Sequence, residues 1–370
     1  MRIAIVLNTS WNIYNFRMNF ISALLSQGHE VHTIAPVDEY TKHIARSGCI
    51  HHKVTMDSRG ANPIKDSALI LELYLIYRRI QPDIILHFTI KPNVYGTLAA
   101  AALRIPVVNN VCGLGTVFLK NNLVSAIAIL LYKVSFRFAH KVFFQNPDDL
   151  DLFVHRKLVK AVQADLVPGS GIDLVRFAQV AYSRNPQFTF LMISRLITDK
   201  GVMEYIDAIR MLRHKGVNAR FQLLGAPDPE HKRGIKPEVI EEWIRTGAVE
   251  YLGTTDDVRS FISQADCIVL PSYREGTPRT LLEAASSGKP IIATDVPGCN
   301  NVVKHQYNGL LCNLKDASDL ADKMMEMASL DDDYLRNFGQ NGRLKVESEF
   351  DESLVINKYL HTLGTLKRAS

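Results

Sequence analysis

The most constraining feature of this chain is a plan that runs twice. Short apolar runs alternate with stretches of helical spacing, as in repeated β-α units wound into a parallel sheet. In the first pass Arg2-Ile3-Ala4-Ile5-Val6-Leu7 reads as a buried strand. The stretch 16–27 then places Phe20, Ile21, Leu24 and Leu25 at helical spacing and ends at Gly28, a C-terminal cap. Strands are predicted at 31–35, 83–87, 106–110 and 141–145, and a helix over 69–80 is stopped by Pro82. The pattern then restarts. Phe188-Thr189-Phe190-Leu191-Met192-Ile193 is a new first strand and 202–213 a new first helix, with strands at 219–224, 249–252, 266–270 and 290–294. Val167-Pro168-Gly169-Ser170-Gly171-Ile172-Asp173, punctuated by glycine and proline, separates the passes. The expected fold is α/β: two Rossmann-like doubly wound domains facing a central cleft, residues 1–170 and 171–350. The last stretch, 351–370, reads as a helix that closes the second domain or crosses back to the first.

A length of 370 residues suits two domains, and 47% hydrophobic with 22% charged residues supplies two cores and excludes disorder. The five cysteines are scattered without a C-x-x-C, so neither a disulfide framework nor a zinc knuckle is indicated, and a reducing compartment fits. The N-terminal apolar run turns polar at Asn8, unlike a signal peptide. No stretch reaches the roughly 18 apolar residues of a spanning helix. The expectation is a cytoplasmic protein, soluble or attached to a membrane surface. Charge is unevenly placed: residues 1–170 hold 18 Lys+Arg against 11 Asp+Glu, the remainder 25 against 27. A basic first half calls for an anionic partner, either a membrane surface, a phosphorylated lipid or nucleic acid. No nucleic-acid motif accompanies the charge.

Ligands of doubly wound sheets sit outside the carboxyl ends of the strands. Ser194-Arg195-Leu196-Ile197-Thr198-Asp199-Lys200-Gly201 follows the second half's first strand, and its two cations suit a diphosphate. Pro271-Ser272-Tyr273-Arg274-Glu275-Gly276-Thr277-Pro278-Arg279 leads from a later strand into a helix over 280–287, whose N-terminus favours phosphate. Glu275 in that loop and Glu283 one turn into the helix are too far apart for a carboxylate dyad, but each can accept hydroxyl hydrogen bonds from a different sugar. Asp331-Asp332-Asp333 and Asp256-Asp257 read as helix caps or turns.

Arg195 with Lys200-Gly201, followed by Glu275-Gly276-Thr277-Pro278 and Glu283-Ala284, resembles the donor-site signature of glycosyltransferase family 4, the retaining GT-B enzymes: an R-x(4)-K-G loop and an E-x(7)-E segment. Pro168-Gly169-Ser170-Gly171-Ile172-Asp173, Leu224-Gly225, Tyr251-Leu252-Gly253 and Asp295 with Pro297-Gly298-Cys299 agree in order and spacing. The resemblance implies a UDP-sugar donor with no further cofactor and no metal. Arg195 and Lys200 would neutralise the diphosphate and the charge of the leaving group, with Glu275 holding a hydroxyl of the transferred sugar. Glu283 would hold the ribose, and Gly276, Thr277, Pro278, Arg279 and Leu252 would complete the donor site. Retention in this family is usually explained by front-face transfer, the departing phosphate helping to deprotonate the acceptor, so no side-chain base is required.

The first half resembles a subgroup that glycosylates polyprenyl-diphosphate-linked saccharides, through Ile13-Tyr14-Asn15-Phe16-Arg17-Met18, Asp38-Glu39-Tyr40-Thr41, Gly113-Leu114-Gly115 and Lys133-Val134-Ser135-Phe136-Arg137-Phe138-Ala139-His140. The resemblance implies transfer of a HexNAc, N-acetylgalactosamine in α linkage, to an undecaprenyl-diphosphate-linked saccharide in bacterial glycan assembly. Acceptor-side candidates are Asn12, Tyr14 and Arg17 in the first loop and helix, His87 at a strand end facing the expected cleft (a position where a lone histidine reads first as structural), Lys91 beyond it, and Gly113 and Gly115. Close relatives often carry a histidine where this chain has Ile90-Lys91. Apolar residues of 117–144 (Leu119, Leu123, Val124, Ile127, Ile129, Leu130, Leu131) are joined by Lys120, Lys133, Arg137 and Lys141, an amphipathic pattern suited to an anionic membrane surface. That places the expected protein at the inner face of the plasma membrane. The same donor chemistry on a soluble acceptor, a nucleotide-sugar epimerase and a non-catalytic nucleotide-sugar binder are the competing readings. A dehydrogenase is disfavoured, because no G-x-G-x-x-G follows the first strand.

Overall fold

The computed structural model describes residues 1–57, 60, 62–114 and 123–369, with side chains omitted at 123–124 and 367–369. The chain forms two compact units, Met1–Ser170 with Ser353–Ser370, and Gly171–Glu352.

The first unit runs β1 (Arg2–Val6), α1 (Ser10–Ser26), β2 (Glu30–Ala35), α2 (Thr41–Arg46), β3 (Ile50–Lys53), α3 (Pro63–Ile80), β4 (Ile84–Phe88), α4 (Thr97–Ala102), β5 (Val107–Val111), α5 (Leu123–Ser135), β6 (Lys141–Phe144), α6 (Pro147–His155) and β7 (Ala164–Leu166). Its strands pair in parallel in the order β3-β2-β1-β4-β5-β6-β7. The order reverses between β1 and β4, which opens a crevice beyond their carboxyl ends. The short run over 50–53 is half exposed, so it lacks the continuous apolar signal of a central strand and escapes a sequence reading. α1 begins six residues before the predicted 16, because Thr9 accepts from Asn12 N at 3.1 Å and caps the helix there. Gly28 takes φ +74° beyond its end, as expected of a C-terminal cap.

The second unit repeats the plan: β8 (Phe188–Ile193), α7 (Val202–His214), β9 (Ala219–Leu224), α8 (Pro237–Arg245), β10 (Glu250–Tyr251), α9 (Arg259–Gln264), β11 (Cys267–Leu270), α10 (Arg279–Ser286), β12 (Ile291–Thr294), α11 (Cys299–Val302), β13 (Gly309–Cys312), α12 (Ala317–Ser329) and α13 (Asp332–Glu349). Its parallel order is β10-β9-β8-β11-β12-β13, with the reversal between β8 and β11. Phe190, Met192, Leu223 and Val269 pack with α7 and α12 on one face, and Leu191, Ile268 and Ile291 with α10 on the other. Both faces being covered explains why these strands read as unbroken apolar runs. The final helix, α14 (Glu352–Ala369), sends Val355, Tyr359 and Leu363 into the core of the first unit beside Phe20, Phe88 and Phe143. The Tyr359 hydroxyl accepts from Asn110 Nδ2 at 2.5 Å. All five cysteines are free, and no described helix is long and apolar enough to cross a membrane.

Candidate active site

In the second unit, the loops leaving β8, β9, β10 and β11 lie against one another at backbone distance. Gly201 adopts φ +74°, and a Cβ there would come within 2.0 Å of Pro271 O. Gly225, at φ +148°, has room for only a hydrogen beside Ser194 O, 1.7 Å from where a Cβ would stand, and its N–H donates to Gly253 O at 2.8 Å. Glycine at both positions is therefore a packing requirement. Tyr273 N donates to Asp199 O at 2.9 Å, and Thr280 Oγ1 donates to Ile193 O at 3.2 Å, which ties the start of α10 to the end of β8.

This scaffold brings the sequence-predicted cations and carboxylates together in two pairs. Lys200 Nζ donates to Glu275 Oε1, both side chains being mostly buried. Arg279 Nε donates to Glu283 Oε1 at 3.1 Å across one turn of α10, and its Nη1 reaches Gly171 O at 2.7 Å. Burial pushes the Glu283 carboxyl above the ordinary carboxylate range, and the Arg279 guanidinium works against that shift. Arg195 stands apart: its side chain is 62% exposed, 3.8 Å from Asp228 Oδ2. Gly276 and Pro278 are buried in the loop that enters α10, and Leu252 N donates to Leu223 O at 2.9 Å, with its side chain packed on the core. The arrangement offers charge for a diphosphate and carboxylate oxygens for sugar hydroxyls, at a helix N-terminus.

Two further contacts escape sequence reasoning. Arg233 pairs with Asp199, within the R-x(4)-K-G loop, while Thr198 N donates to Arg233 O at 2.9 Å. The Tyr273 hydroxyl donates to Glu204 Oε1 at 2.6 Å, and Lys315 Nζ lies 4.7 Å from the Tyr273 ring centre. No local spacing joins residues so far apart in the chain. Asp331 caps α13 by accepting from Tyr334 N at 2.9 Å, and Asp257 accepts from Arg259 N at 3.1 Å, as their contexts predict.

In the first unit the two quoted segments meet. Trp11 N donates to Asp38 Oδ2 at 2.8 Å, and the Tyr14 ring, 37% exposed, packs 5.3 Å from that of Tyr40. Asn12 uses its own N–H for the α1 cap and is partly exposed. Arg17 is buried with its guanidinium 4.3 Å from the Phe88 ring centre. Lys91 Nζ is held by Asp66 Oδ1 at 2.8 Å, whose other oxygen accepts from Tyr95 OH at 3.0 Å. His87 takes the structural reading over the acceptor-side one. It faces no opening but is fully buried, its Nε2 2.9 Å from Tyr77 OH and its Nδ1 3.0 Å from Asn109 Oδ1. Its ring rests against Gly96, where a Cβ would be 2.5 Å from Nε2. Burial holds its pKa down at about 3, so it is a neutral core residue. Gly113 follows β5 with φ +121°; Gly115, Leu119 and Lys120 lie outside the described residues.

Comparison with known proteins gives two matching family models, "Glycosyl transferase 4-like" over residues 2–146 and "Glycosyl transferases group 1" over residues 177–345. The chain is 31% identical, over 97% of its own length and 97% of the relative's, to the N,N'-diacetylbacillosaminyl-diphospho-undecaprenol alpha-1,3-N-acetylgalactosaminyltransferase of Campylobacter jejuni. It is 24% identical, over 79% of its length and 78% of the relative's, to the UDP-Gal:alpha-D-GlcNAc-diphosphoundecaprenol alpha-1,3-galactosyltransferase of Escherichia coli. Among solved structures, sucrose-phosphate synthase from Thermosynechococcus elongatus superposes with a TM-score of 0.82 at 20% identity, covering 100% of both chains.

Proposed function

The chain belongs to glycosyltransferase family 4 and has the GT-B fold, and from that premise we propose that it moves a HexNAc, N-acetylgalactosamine in α linkage, from a UDP-sugar to an undecaprenyl-diphosphate-linked saccharide in bacterial glycan assembly. The observation that carries this reading is the full-length similarity to a transferase whose name states that donor group, that linkage and that lipid carrier. The donor geometry supports it from the residues upward. When the donor enters, Lys200 exchanges its Glu275 partner for the diphosphate and stabilises the charge that grows on the leaving phosphate. Glu275, so released, accepts from a hydroxyl of the transferred sugar. Arg195, already in solvent, closes on the phosphates, and Glu283 accepts from the ribose hydroxyls. Gly276, Thr277, Pro278, Arg279 and Leu252 shape the walls. Both cations and the α10 N-terminus supply the charge a metal would otherwise bring, so turnover is expected to survive EDTA. The departing phosphate takes the acceptor proton on the front face, which preserves the α configuration.

On the acceptor side, the first unit carries the sequence's excess of positive charge, and α5 turns Ile127, Leu130, Val134 and the following Phe138 to solvent beside Lys133 and Arg137. An apolar stripe edged by cations suits the interface of an anionic bilayer, and the protein is read as peripheral on the cytoplasmic face of the plasma membrane. The test is UDP release by purified protein across several UDP-sugars, with and without a short-chain polyprenyl-diphosphate N-acetylhexosamine. Release with one donor, dependent on that acceptor, is the expected result. Release indifferent to the lipid would point to a soluble acceptor, epimer formation without acceptor to an epimerase, and UDP binding without turnover under any condition to a non-catalytic binder.

A further inference from the structure

At the strand-order reversal of the first unit, between β1 and β4, stands a set of buried polar atoms without a hydrogen-bond partner among the described residues. Arg17 joins this set from α1, only 5% exposed. Its guanidinium lies over Phe88, hydrogen-bonded to the Cys112 thiol and with Tyr359 beside it, and its one oxygen contact among the described residues is a long 3.5 Å bond to Phe16 O. Arg17 Nε is buried without a partner, and no carboxylate among the described residues pairs with this side chain. A buried cation in that state is costly unless something neutralises it. Three more orphans stand at the same strand ends: Asn8 Oδ1 just after β1, Thr89 Oγ1 just after β4, and Asn93 Oδ1 one turn further. Asn93 is fixed by donating from Nδ2 to Asn110 O at 2.7 Å, and its N–H donates to Thr89 O at 3.1 Å.

We propose that this crevice is an oxyanion site that takes the phosphate of the acceptor, with Arg17 as its cation. The complementarity is specific in kind. Arg17 and the Thr89 hydroxyl offer donors to phosphate oxygens, whereas Asn8 and Asn93 offer carbonyl oxygens to hydroxyl or amide N–H groups. The ligand class that satisfies all four is a phosphate or diphosphate ester of a hydroxylated or acetamido sugar. The proposal rests on the acceptor reading above and gives it a residue-level anchor. A phosphorylated sugar could reach the crevice free or on a lipid, and the experiment separates the two.

The experiment is titration calorimetry on the full chain saturated with UDP, which occupies the donor site. The probes are inorganic pyrophosphate, and a short-chain polyprenyl-diphosphate N-acetylhexosamine. Wild type is expected to bind both, and Arg17→Met to weaken both by about tenfold or more, as for a lost charge-assisted hydrogen bond, with UDP affinity within about twofold. Thr89→Val is expected to weaken both by a few fold. Affinities unchanged in a folded Arg17→Met protein would overturn the proposal. Should that variant not fold, Arg17→Lys decides: it keeps the charge but not the fork, and equal affinity for both probes would likewise overturn it. Arg17-dependent binding of pyrophosphate alone would support the oxyanion site with a free phosphorylated sugar as its ligand. If no polyprenyl acceptor supports UDP release while pyrophosphate binding still depends on Arg17, the crevice stands and the lipid reading falls. If lipid-dependent release is indifferent to Arg17, the reverse holds.

Discussion

The two units place a crevice at the same topological point, where the strand order reverses, and hold their charged groups there in different ways. In the second unit the crevice neutralises itself: Lys200 lies on Glu275 and Arg279 on Glu283. In the first, Arg17 and three other polar groups carry buried atoms without partners. A self-paired site keeps its charges at little cost to folding and yields them when a ligand separates the pair. An unpaired site is preorganised but holds a standing desolvation penalty that only its ligand relieves. Substitutions should therefore act differently in the two halves: removing the Lys200 charge should fall on turnover, and removing Arg17 on acceptor binding.

The largest expected effect follows from the paired site. Lys200→Ala should lower kcat by ~10²–10³, as for loss of charge stabilisation on a leaving group, with a much smaller change in UDP affinity. Steady-state kinetics beside UDP titration separate the two quantities, and undiminished turnover would remove Lys200 from the chemistry. The substitution also strands Glu275, which leaves Lys200→Ala combined with Glu275→Gln as the sharper probe: if the two act as a unit, the double variant should be little worse than the single one.

Next in size is the other carboxylate. Glu283→Gln should raise the donor KM by about tenfold and leave kcat nearly alone, the mark of binding lost equally from ground and transition states. In the proposed role an ionised Glu283 accepts from the ribose hydroxyls through both oxygens, whereas protonation turns one of them into a donor, and burial holds its pKa above the ordinary carboxylate value. The wild-type donor KM should therefore begin to rise on acidification before an exposed glutamate would titrate, and the Gln variant should lose that dependence. An identical pH profile in both proteins would take the ribose role from this residue.

How much of this was legible in the sequence follows the same division. The central strands of both units lie where apolar runs predict them because helices cover both faces of each sheet, whereas β3, β7 and β13, at the sheet edges, escape the sequence reading. The Arg195–Gly201 and Leu224–Gly225 loops are recognisable because backbone packing demands glycine at Gly201 and Gly225. Signature residues thus mark fixed geometry. What the sequence hid is pairing across distance. Arg233 meets Asp199, and Tyr273 meets Glu204, without any shared local pattern. For His87 the sequence leaves two readings, a structural histidine and one facing the acceptor cleft, and only the fold shows Tyr77, Gly96 and Asn109 closing over it.

His87 yields a smaller, contrasting prediction, on stability alone. His87→Ala should cost about 2–3 kcal/mol, from a cavity and an unsatisfied Tyr77 hydroxyl, with no specific change in acceptor KM. Its pH signature has a definite sign. The folded pKa, about 3, lies below the ordinary histidine value of 6.5, so the unfolded chain binds the extra proton between them. Stability should be full above about pH 6.5 and fall as pH drops towards 3, less steeply in a His87→Gln protein, as denaturation midpoints across that range would reveal. A His87 variant that kept its stability but lost acceptor binding would restore the residue to the acceptor site.

The smallest effect belongs to the outer surface of the first unit, where no single side chain decides. Leu130, 59% exposed, sits near the middle of the α5 stripe with Ile127 and Phe138 at 49% and 50%. Burying one such side chain in a bilayer interface is worth about 1.5–3 kcal/mol at most, and each flanking cation adds about 1 kcal/mol on an anionic surface. Leu130→Asp should reduce co-sedimentation with phosphatidylglycerol-containing vesicles by roughly tenfold or more, since it removes the apolar contact and adds repulsion. Lys133→Gln should reduce it by only a few fold and be nearly silent on zwitterionic vesicles. Turnover on a water-soluble short-chain acceptor should be the same in both variants as in wild type, because the role proposed for this exposed face of α5 is attachment to the surface. Loss of turnover on the soluble acceptor would mean instead that this helix belongs to the acceptor site.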